Sequence, residues 1–471
     1  MKAAERELRL DVPLDFALPE LAGTPLESRD FTSTYFDTPD GRLARVGVTL
    51  RRRVENGRSL WQLDLPVDDD RTELEEPGDP ASPPDQLADL LVAVRRGQPL
   101  EPVVELRTRR RGVLVGNAAP LAEVVVDAVD VLGERGVKEQ FGEVLVGLLR
   151  GDSSTVDDLA RALRRAGAQR GGRPALGRLL GLERSAADGS RSKRLGDRLA
   201  AAMREQLADL LAHDPGVRLG RDAEAVHQMR VATRRLRAHL RAAEPELDRG
   251  WAEPLRAELK WLAGLLGAVR DLDVLLDRLR RQQAQLEREE SAALDPTVFL
   301  LHSDHTRART ELVGALRSDR YLQLLDELER APEAQAVTGL DLKVKKIAAG
   351  EFERVRKTVA GLGENPTDEQ LHRTRVRAKR ARYAAELAMG STSGARGFVN
   401  RAKELQDVLG EHQDAVVAEE RLRALAVGGD AMLGVAVGRL IERERLRRLE
   451  ARAGWGQTWR RLERRGRRIW R

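Results

Sequence analysis

The spacing of apolar residues changes along the chain, from a period of two in the first part to a helical period in the rest. Up to about residue 150, short segments rich in β-branched residues alternate apolar and polar positions between Gly, Pro or Asp turns. This alternation is typical of β-strands that bury one face. Several such strands in succession predict an antiparallel sheet closing into a barrel. Two helices are predicted to interrupt it, at residues 84–97 and 154–168.

Beyond about residue 190, apolar residues recur with helical spacing, and glycines and prolines gather at a few breaks. This pattern predicts an all-α bundle. We therefore predict an α+β chain of two domains: an antiparallel β-barrel domain over residues 1–183, a linker over 184–191, and an α-helical domain over 192–471. A length of 471 residues is sufficient for this division.

Composition limits the chemistry and the location of the protein. The chain has no cysteine, which excludes disulfides and thiolate zinc sites. Its N-terminus lacks a signal-peptide pattern and no apolar run is long enough to span a bilayer, so we expect a cytoplasmic protein without a membrane partner. Residues 1–190 carry a net charge of about −6 and residues 191–471 about +12. This asymmetry predicts an anionic partner for the second part.

The helical part contains an internal repeat. Residues 227–237 match residues 372–382, and residues 259–271 match residues 402–414, at a nearly constant separation. Two matched helices at such a separation indicate a duplicated helical unit. The matched basic residues are His227 with His372, Arg230 with Arg375, Arg234 with Lys379, Arg237 with Arg382, and Lys260 with Lys403.

The repeated basic residues share one helix face. At about 100° per residue, they form a stripe beside the apolar face of Met229, Thr233, Leu236 and Leu240. A solvated charged face is the ordinary explanation of such a stripe. Like charges four residues apart destabilise a helix, however, and few acidic residues lie within the stripe. Its recurrence at the same helical positions favours a ligand that neutralises it.

The composition also indicates the kind of ligand. The planar fork of arginine binds phosphate oxygens in pairs. Aromatic residues make up only 3% of the chain, which leaves few side chains for stacking nucleobases. No zinc-finger spacing, basic-zipper heptad or aromatic RNA-binding motif is present, so we expect no specific nucleic acid. A polyanion with closely spaced charges fits best.

The two matched segments resemble the CHAD domain, the conserved histidine α-helical domain, over about residues 190–471. The resemblance implies two helical repeats that face each other across a basic cavity and bind inorganic polyphosphate without a cofactor. It also implies association with polyphosphate granules. The binding residues implied are His227, Arg230, Arg234, Arg237, Lys260, His372, Arg375, Lys379, Arg382 and Lys403.

The first part resembles the CYTH domain, the triphosphate tunnel fold, through residues 5–10 and 34–53. In active members a closed barrel holds a triphosphate on basic residues, and carboxylates hold the Mg²⁺ or Mn²⁺ that assists hydrolysis. Alternate residues of a strand share a face, so basic and acidic residues here are expected to line the tunnel together. The expected phosphate-binding residues are Arg9, Arg51, Arg53, Arg107 and Arg109, and the expected metal ligands are Glu5, Glu7 and Glu143.

This tunnel departs from the family pattern at several positions. Asp64 stands where the family has a lysine, Leu145 and Gly147 stand where it has glutamates, and the closing lysine near residues 173–180 is missing. A hard cation requires several oxygen ligands, and half of the expected set is absent. We therefore expect a polyphosphate-binding protein with an inactive tunnel. The alternatives are a metal-dependent triphosphate or tripolyphosphate hydrolase, and a nucleic-acid or acidic-protein binder.

Overall fold

The computed structural model describes residues 7–67, 70–116, 119–134, 136–150, 153–170, 179, 192–220, 223–427 and 430–470. The chain divides into two compact units, Met1–Ser185 and Ala186–Arg471. The predicted linker at 184–191 lies outside the described residues. No helix in the described ranges is long and apolar enough to cross a membrane.

The N-terminal unit is built on one antiparallel sheet in the order β5-β4-β3-β2-β6-β7-β8-β1-β9. The predicted barrel-like antiparallel sheet is confirmed. The predicted closure of this sheet into a barrel is not confirmed, because β5 and β9 are the two ends of the strand order in the part of the chain that is described. The strands are β1 Glu7–Val12, β2 Gly23–Asp37, β3 Thr49–Glu55, β4 Arg58–Val67, β5 Asp70–Pro77, β6 Glu101–Val115, β7 Ala122–Gly133, β8 Gly136–Leu148 and β9 Gln169–Arg170.

The two faces of this sheet differ in character. On the outer face of β1, β7 and β8, apolar side chains such as Leu10, Val124 and Val144 form a buried core with Leu159 and Leu163 of α4. The opposite, inner face carries most of the charged pairs. The amphipathic segment at 154–168 thus forms the predicted helix, because its apolar stripe covers the sheet. The helices of this unit are α1 Arg42–Arg45, α2 Asp85–Leu90, α3 Val92–Arg95 and α4 Ser153–Arg165.

The C-terminal unit is all-α, as predicted. Two runs of four longer helices, α5–α8 and α11–α14, follow one another, with two short helices between them. Neighbouring helices along each run pack together, and α6 also packs on α12 and α8 on α14. The helices are α5 Leu195–Leu219, α6 Ala223–Ala243, α7 Arg249–Gln283, α8 Arg288–Leu316, α9 Asp319–Arg330, α10 Gln335–Thr338, α11 Val344–Ala360, α12 Asp368–Leu387, α13 Ala395–Ala426 and α14 Ala431–Ile469.

The apolar face predicted for the first stripe helix is the buried face of α6. Met229, Thr233, Leu236 and Leu240 are all fully buried. A separate apolar cluster, which includes Leu276 and Leu440, joins α7 and α8 to α13 and α14. The repeats therefore meet through apolar contacts as well as through the α6–α12 pair, and this packing fixes which side chains of α6 and α12 approach each other.

Candidate anion-binding site

The two basic stripes lie on helices that are in direct contact. The first stripe is on α6 and the second on α12, and these helices pack on each other. Arg234 of α6 is close enough to Arg375 and Lys379 of α12 that its charge lowers the pKa of both. The fold thus brings together basic residues from the two copies of the repeat. We refer to Arg234, Arg375, Lys379 and Arg382 as the basic cluster.

Lys379 has the most perturbed environment in the basic cluster. Burial lowers its pKa, and the charges of Arg375, Arg234 and Arg382 lower it further, to about 7. Desolvation disfavours the ammonium form because water is removed from the charge, and nearby cations add repulsion. Asp414 opposes the shift but does not cancel it. Positive charge therefore exceeds negative charge around Lys379.

Hydrogen-bond donors in the cluster lack acceptors. The Nε atoms of Arg234 and Arg375 are buried and have no hydrogen-bond partner among the described residues. Neither arginine nor Lys379 forms an ion pair with any acidic residue of the described ranges. Leaving a buried donor unsatisfied costs about 1–3 kcal/mol. The site therefore combines excess positive charge with unsatisfied donors.

Arg382 has an acidic partner, whereas Arg237 lies near a further cation. The Nε of Arg382 lies 3.1 Å from Oε1 of Glu386, an ion pair without hydrogen-bond geometry. Its guanidinium carbon also lies 4.6 Å from the ring centroid of Tyr383. Burial and then the charge of Arg256 on α7 lower the pKa of Arg237. Arg382 thus belongs to the cluster with a counter-charge, whereas Arg237 extends toward α7.

Matched glycines lie beneath matched arginines in the two repeats. Arg230 pairs with Asp271, with 2.9 Å between Nη1 and Oδ1. A Cβ added to Gly267 would lie 4.0 Å from Nη2 of Arg230, and a Cβ added to Gly410 would lie 3.9 Å from Nε of Arg375. In each repeat, the arginine of the first matched helix therefore lies next to the glycine at the same position of the second matched helix. The duplication read from the sequence is also present in the geometry.

The two matched histidines differ in exposure. His227 is half-buried, and its pKa is lowered by burial and then by Arg270, with smaller effects of Arg234 and Arg230. His372 is exposed, and its Nδ1 lies 2.8 Å from Oε1 of Gln413. The surroundings of His227 in the first stripe thus disfavour its imidazolium form. Arg270, which the motif match did not identify, is a further cation there.

The predicted lysines lie on the helices that follow the two stripe helices. Lys260 of α7 and Lys403 of α13 are exposed at matched positions. No hydrogen bond or ion pair joins either of them to another described residue. Their participation in binding remains a prediction.

In the N-terminal unit, the arginines of the inner face are paired with acids. Nε of Arg51 donates to Oε1 of Gln62 at 2.8 Å, and Nη2 of Arg51 lies 3.5 Å from Oε1 of Glu73. Arg53 pairs with Glu55 at 2.6 Å. The predicted convergence of Arg51 and Arg53 on one face is present, and each has an acidic partner, although Arg53 shares Glu55 with Arg29.

Asp64 adds to this compensation. Its carboxylate accepts a hydrogen bond from Oγ1 of Thr49 at 3.0 Å, and its charge helps to raise the pKa of Arg51 against the opposing effect of burial. The acid that stands where the family has a lysine thus acts as a counter-charge for Arg51.

The prediction that Arg107 and Arg109 of β6 line the tunnel was wrong, because the other set of alternate residues faces inward. Arg107 and Arg109 are exposed on the outer side, whereas Leu106 and Thr108 are buried on the inner face. Successive side chains of a strand point to opposite faces, so a shift by one residue exchanges the two sets. Arg110 is the inner-face arginine of β6. The run of three consecutive arginines permits either register, and the burial of Leu106 and Thr108 decides it.

Arg110 is also compensated. It forms a two-pronged pair with Asp127 of β7, at 2.8 Å and 2.7 Å. Asp127 is almost fully buried. A bidentate arginine–carboxylate pair of this kind leaves little donor capacity for a phosphate.

Of the predicted metal ligands, only Glu143 has a described side chain. Glu143 lies 3.5 Å from Arg9, an ion pair between the expected ligand and the expected phosphate-binding residue. Glu5 lies outside the described residues, and for Glu7 only the backbone is described. Within the described ranges no group of three His, Asp or Glu side chains is arranged to hold a metal ion. Binding of Mg²⁺ or Mn²⁺ by Glu5, Glu7 and Glu143 stays a prediction.

Comparison with known proteins identifies both parts of the chain. The CYTH domain model matches residues 3–170, and the CHAD domain model matches residues 201–423. The uncharacterized protein Rv2226 of Mycobacterium tuberculosis is 33% identical over 457 residues, covering 88% of this chain and 85% of that protein.

Two solved structures are similar to part of the chain. PptA from Streptomyces chartreusis is 25% identical with a TM-score of 0.48, covering 57% of this chain and all of that one. The CHAD domain from the plant Ricinus communis is 27% identical with a TM-score of 0.47, covering 56% of this chain and 93% of that one. Both matched domains and the near full-length relative lead to one conclusion. The chain belongs to the family of proteins that join a CYTH domain to a CHAD domain.

Proposed function

We propose that the helical domain binds inorganic polyphosphate at the basic cluster. The observation that supports this most directly is that Arg234, Arg375 and Lys379 form no ion pair with an acidic residue in the described part of the chain. Phosphate oxygens would accept from the unsatisfied Nε–H groups and neutralise the excess charge. Hydrogen bonds to charged groups contribute about 1.5–3 kcal/mol each. Three or four such contacts, reduced by the ordering cost, are consistent with micromolar affinity.

A polyphosphate chain suits the cluster better than a duplex nucleic acid. Adjacent phosphates in polyphosphate share an oxygen, so its charges are more closely spaced than those of a nucleic-acid strand, in which a sugar separates them. The cluster brings charges from two packed helices together and is half-buried. A narrow chain reaches such groups more readily than a broad duplex. Aromatic stacking platforms are few, at 3% of the chain.

We do not extend the proposal to hydrolysis in the N-terminal domain. Arg9, Arg51, Arg53 and Arg110 each pair with an acid, so the inner face offers little uncompensated positive charge for a triphosphate. The proposed role of the whole chain is binding, and it predicts that the protein co-localises with polyphosphate granules in the cytoplasm.

The test is calorimetric titration of long-chain polyphosphate into the intact chain, with tripolyphosphate and duplex DNA as comparators. We expect the variant carrying Arg234→Gln, Arg375→Gln and Lys379→Gln to bind polyphosphate at least about 100-fold more weakly, which corresponds to about 3 kcal/mol. The matched control carries Arg401→Gln and Arg423→Gln, two exposed arginines of α13 that pair with nearby glutamates.

The control variant is expected to bind as the unaltered protein does. Equal affinities in the cluster variant and the control would contradict the proposal. Ready displacement of polyphosphate by duplex DNA would instead favour a general nucleic-acid binder.

A further inference from the structure

A second basic pocket lies where α6, α11 and α12 meet. Its cavity has a volume of about 260 Å³. Around α12, Arg377 and Arg380 lie about 160° and about 140° from Arg375 of the basic cluster. The pocket is therefore on a different side of α12 from the cluster. Its charged lining consists of Arg241, Arg354, Arg377, Arg380, Glu244 and Glu351.

The acids of this pocket do not neutralise all of its arginines. Nε of Arg241 lies 2.9 Å from Oε2 of Glu244, and Arg354 pairs with Glu351. Arg377 and Arg380 form neither an ion pair nor a hydrogen bond with any described residue. Burial, followed by the charges of Arg241 and Arg377, lowers the pKa of Arg380. Two guanidinium charges of the pocket thus remain uncompensated.

The internal repeat provides a comparison for this pocket. Arg380 of the second repeat corresponds to Arg235 of the first. Arg235 acts electrostatically on two carboxylates, those of Glu386 and Asp209. The position that corresponds to Glu386 is occupied by Arg241. The charge at that helical position is therefore reversed between the two repeats: Glu386 acts near Arg235, whereas Arg241 acts near Arg380 and has a larger effect there than the opposing Glu351 or Glu244.

We propose that this pocket binds a small, doubly charged phosphoryl anion, either free orthophosphate or the phosphoryl group of a monoester. Such a dianion balances the two uncompensated guanidinium groups, and its oxygens match the planar donor forks of arginine. The cavity is smaller than the pockets of about 300–1,000 Å³ that hold larger ligands. The proposal is independent of polyphosphate binding at the basic cluster.

The test is calorimetric titration of orthophosphate into the intact chain at pH 8, repeated with glycerol phosphate. We expect saturable binding below about 10 mM. The double variant Arg377→Gln and Arg380→Gln is expected to lose at least about tenfold in orthophosphate affinity, and Arg241→Glu, which places near Arg380 the charge that Glu386 places near Arg235, is expected to lose as much. Polyphosphate affinity is expected to stay within about twofold in both variants.

A variant that is expected to bind orthophosphate more tightly shows that the weaker binding of the other variants is not caused by misfolding. Glu244→Gln removes one acid from the pocket and is expected to tighten orthophosphate binding severalfold. Binding of both probes would show that the pocket accepts monoesters, and binding of orthophosphate alone would identify free phosphate as the ligand. Unchanged affinity in the Arg377→Gln and Arg380→Gln variant overturns the proposal, as does an equal loss in Arg234→Gln, which would assign the binding to the basic cluster.

Discussion

At the scale of single residues, Lys379 shows how the charge environment of the helical domain differs from that of the N-terminal domain. Its pKa of about 7 results from burial and from three neighbouring arginines. A group with such a pKa changes its charge when a polyanion approaches, since negative charge favours the ammonium form. The inner face of the N-terminal domain has no comparable described cation, because its arginines pair with acids.

We expect polyphosphate binding at pH 8 to be accompanied by the uptake of up to about one proton. Unliganded Lys379 is mostly neutral at this pH, and bound phosphates raise its pKa, so the ammonium form gains a proton. The affinity is accordingly expected to fall as the pH rises above about 7. Titration in two buffers with different ionisation enthalpies measures the number of protons taken up.

Lys379→Arg is the matched variant for this measurement, because arginine stays charged throughout the range. It is expected to bind polyphosphate without the proton uptake. The same uptake in this variant would assign the proton to another group, such as His227.

At the scale of helices and strands, the periodic pattern predicted element types well and strand register poorly. The helical repeat indicated α6, α7, α12 and α13, because the matched segments 227–237, 259–271, 372–382 and 402–414 lie within them. In β6, by contrast, Arg109, Arg110 and Arg111 offered no contrast between faces. The face that each arginine takes is decided by the pairing of β6 with β2 and β7, a tertiary feature that one strand's sequence does not contain.

The pairing of helices between the two repeats could likewise not be predicted from the sequence. Arg241 lies two turns after Arg234 on nearly the same face of α6, yet it lines the second pocket, whereas Arg234 lies near Lys379. The crossing of two helices depends on their packed side chains, which no local pattern specifies.

The end of α5 is held by a buried network that gives a prediction for stability. Asp214 and Arg218 have no exposed side-chain area, with 2.6 Å between Oδ1 and Nε. The hydroxyl of Tyr321 donates to Oδ2 of Asp214 at 2.9 Å, and Arg218 donates to the carbonyl oxygen of Leu316 at 2.7 Å. Asp214→Ala leaves a buried guanidinium without its counter-charge and is expected to lower the free energy of unfolding by about 3–5 kcal/mol.

Chemical denaturation, followed by circular dichroism at the helical wavelength, measures this loss. The control is Asp304→Ala, which removes an exposed i,i+3 pair with Arg307 and is expected to change stability by less than about 1 kcal/mol. A loss of that small size in Asp214→Ala would contradict a structural role for the network.

At the scale of the whole molecule, positive charge is concentrated in the helical part. Residues 191–471 carry about +12, against about −6 for residues 1–190. A region of one sign attracts polyanions over several ångströms and accelerates their association, an effect that salt suppresses. The basic cluster and the second pocket lie in the positive part, whereas the inner-face arginines lie in the negative part.

Salt dependence therefore tests the assignment of contacts in the intact chain. The logarithm of the polyphosphate association constant is expected to fall linearly with the logarithm of the salt concentration, by about 0.7 for each phosphate neutralised. Arg234→Gln and Arg375→Gln are each expected to reduce the magnitude of this slope by about that amount. Arg53→Gln in the N-terminal domain is expected to leave it unchanged. An equal effect of all three substitutions would mean that the slope reports net charge and not contacts.

The opposite charges at positions 241 and 386 also bear on how a duplicated domain diversifies. After duplication, both copies inherit the same helix pair, so the surfaces around Arg235 and Arg380 begin with equal properties. Exchanging arginine and glutamate at one helical position alters the surface of one copy and leaves the corresponding surface of the other copy unchanged. One copy can then acquire a new ligand while the shared cluster between the copies keeps the ancestral one, and a single codon is enough to begin the separation.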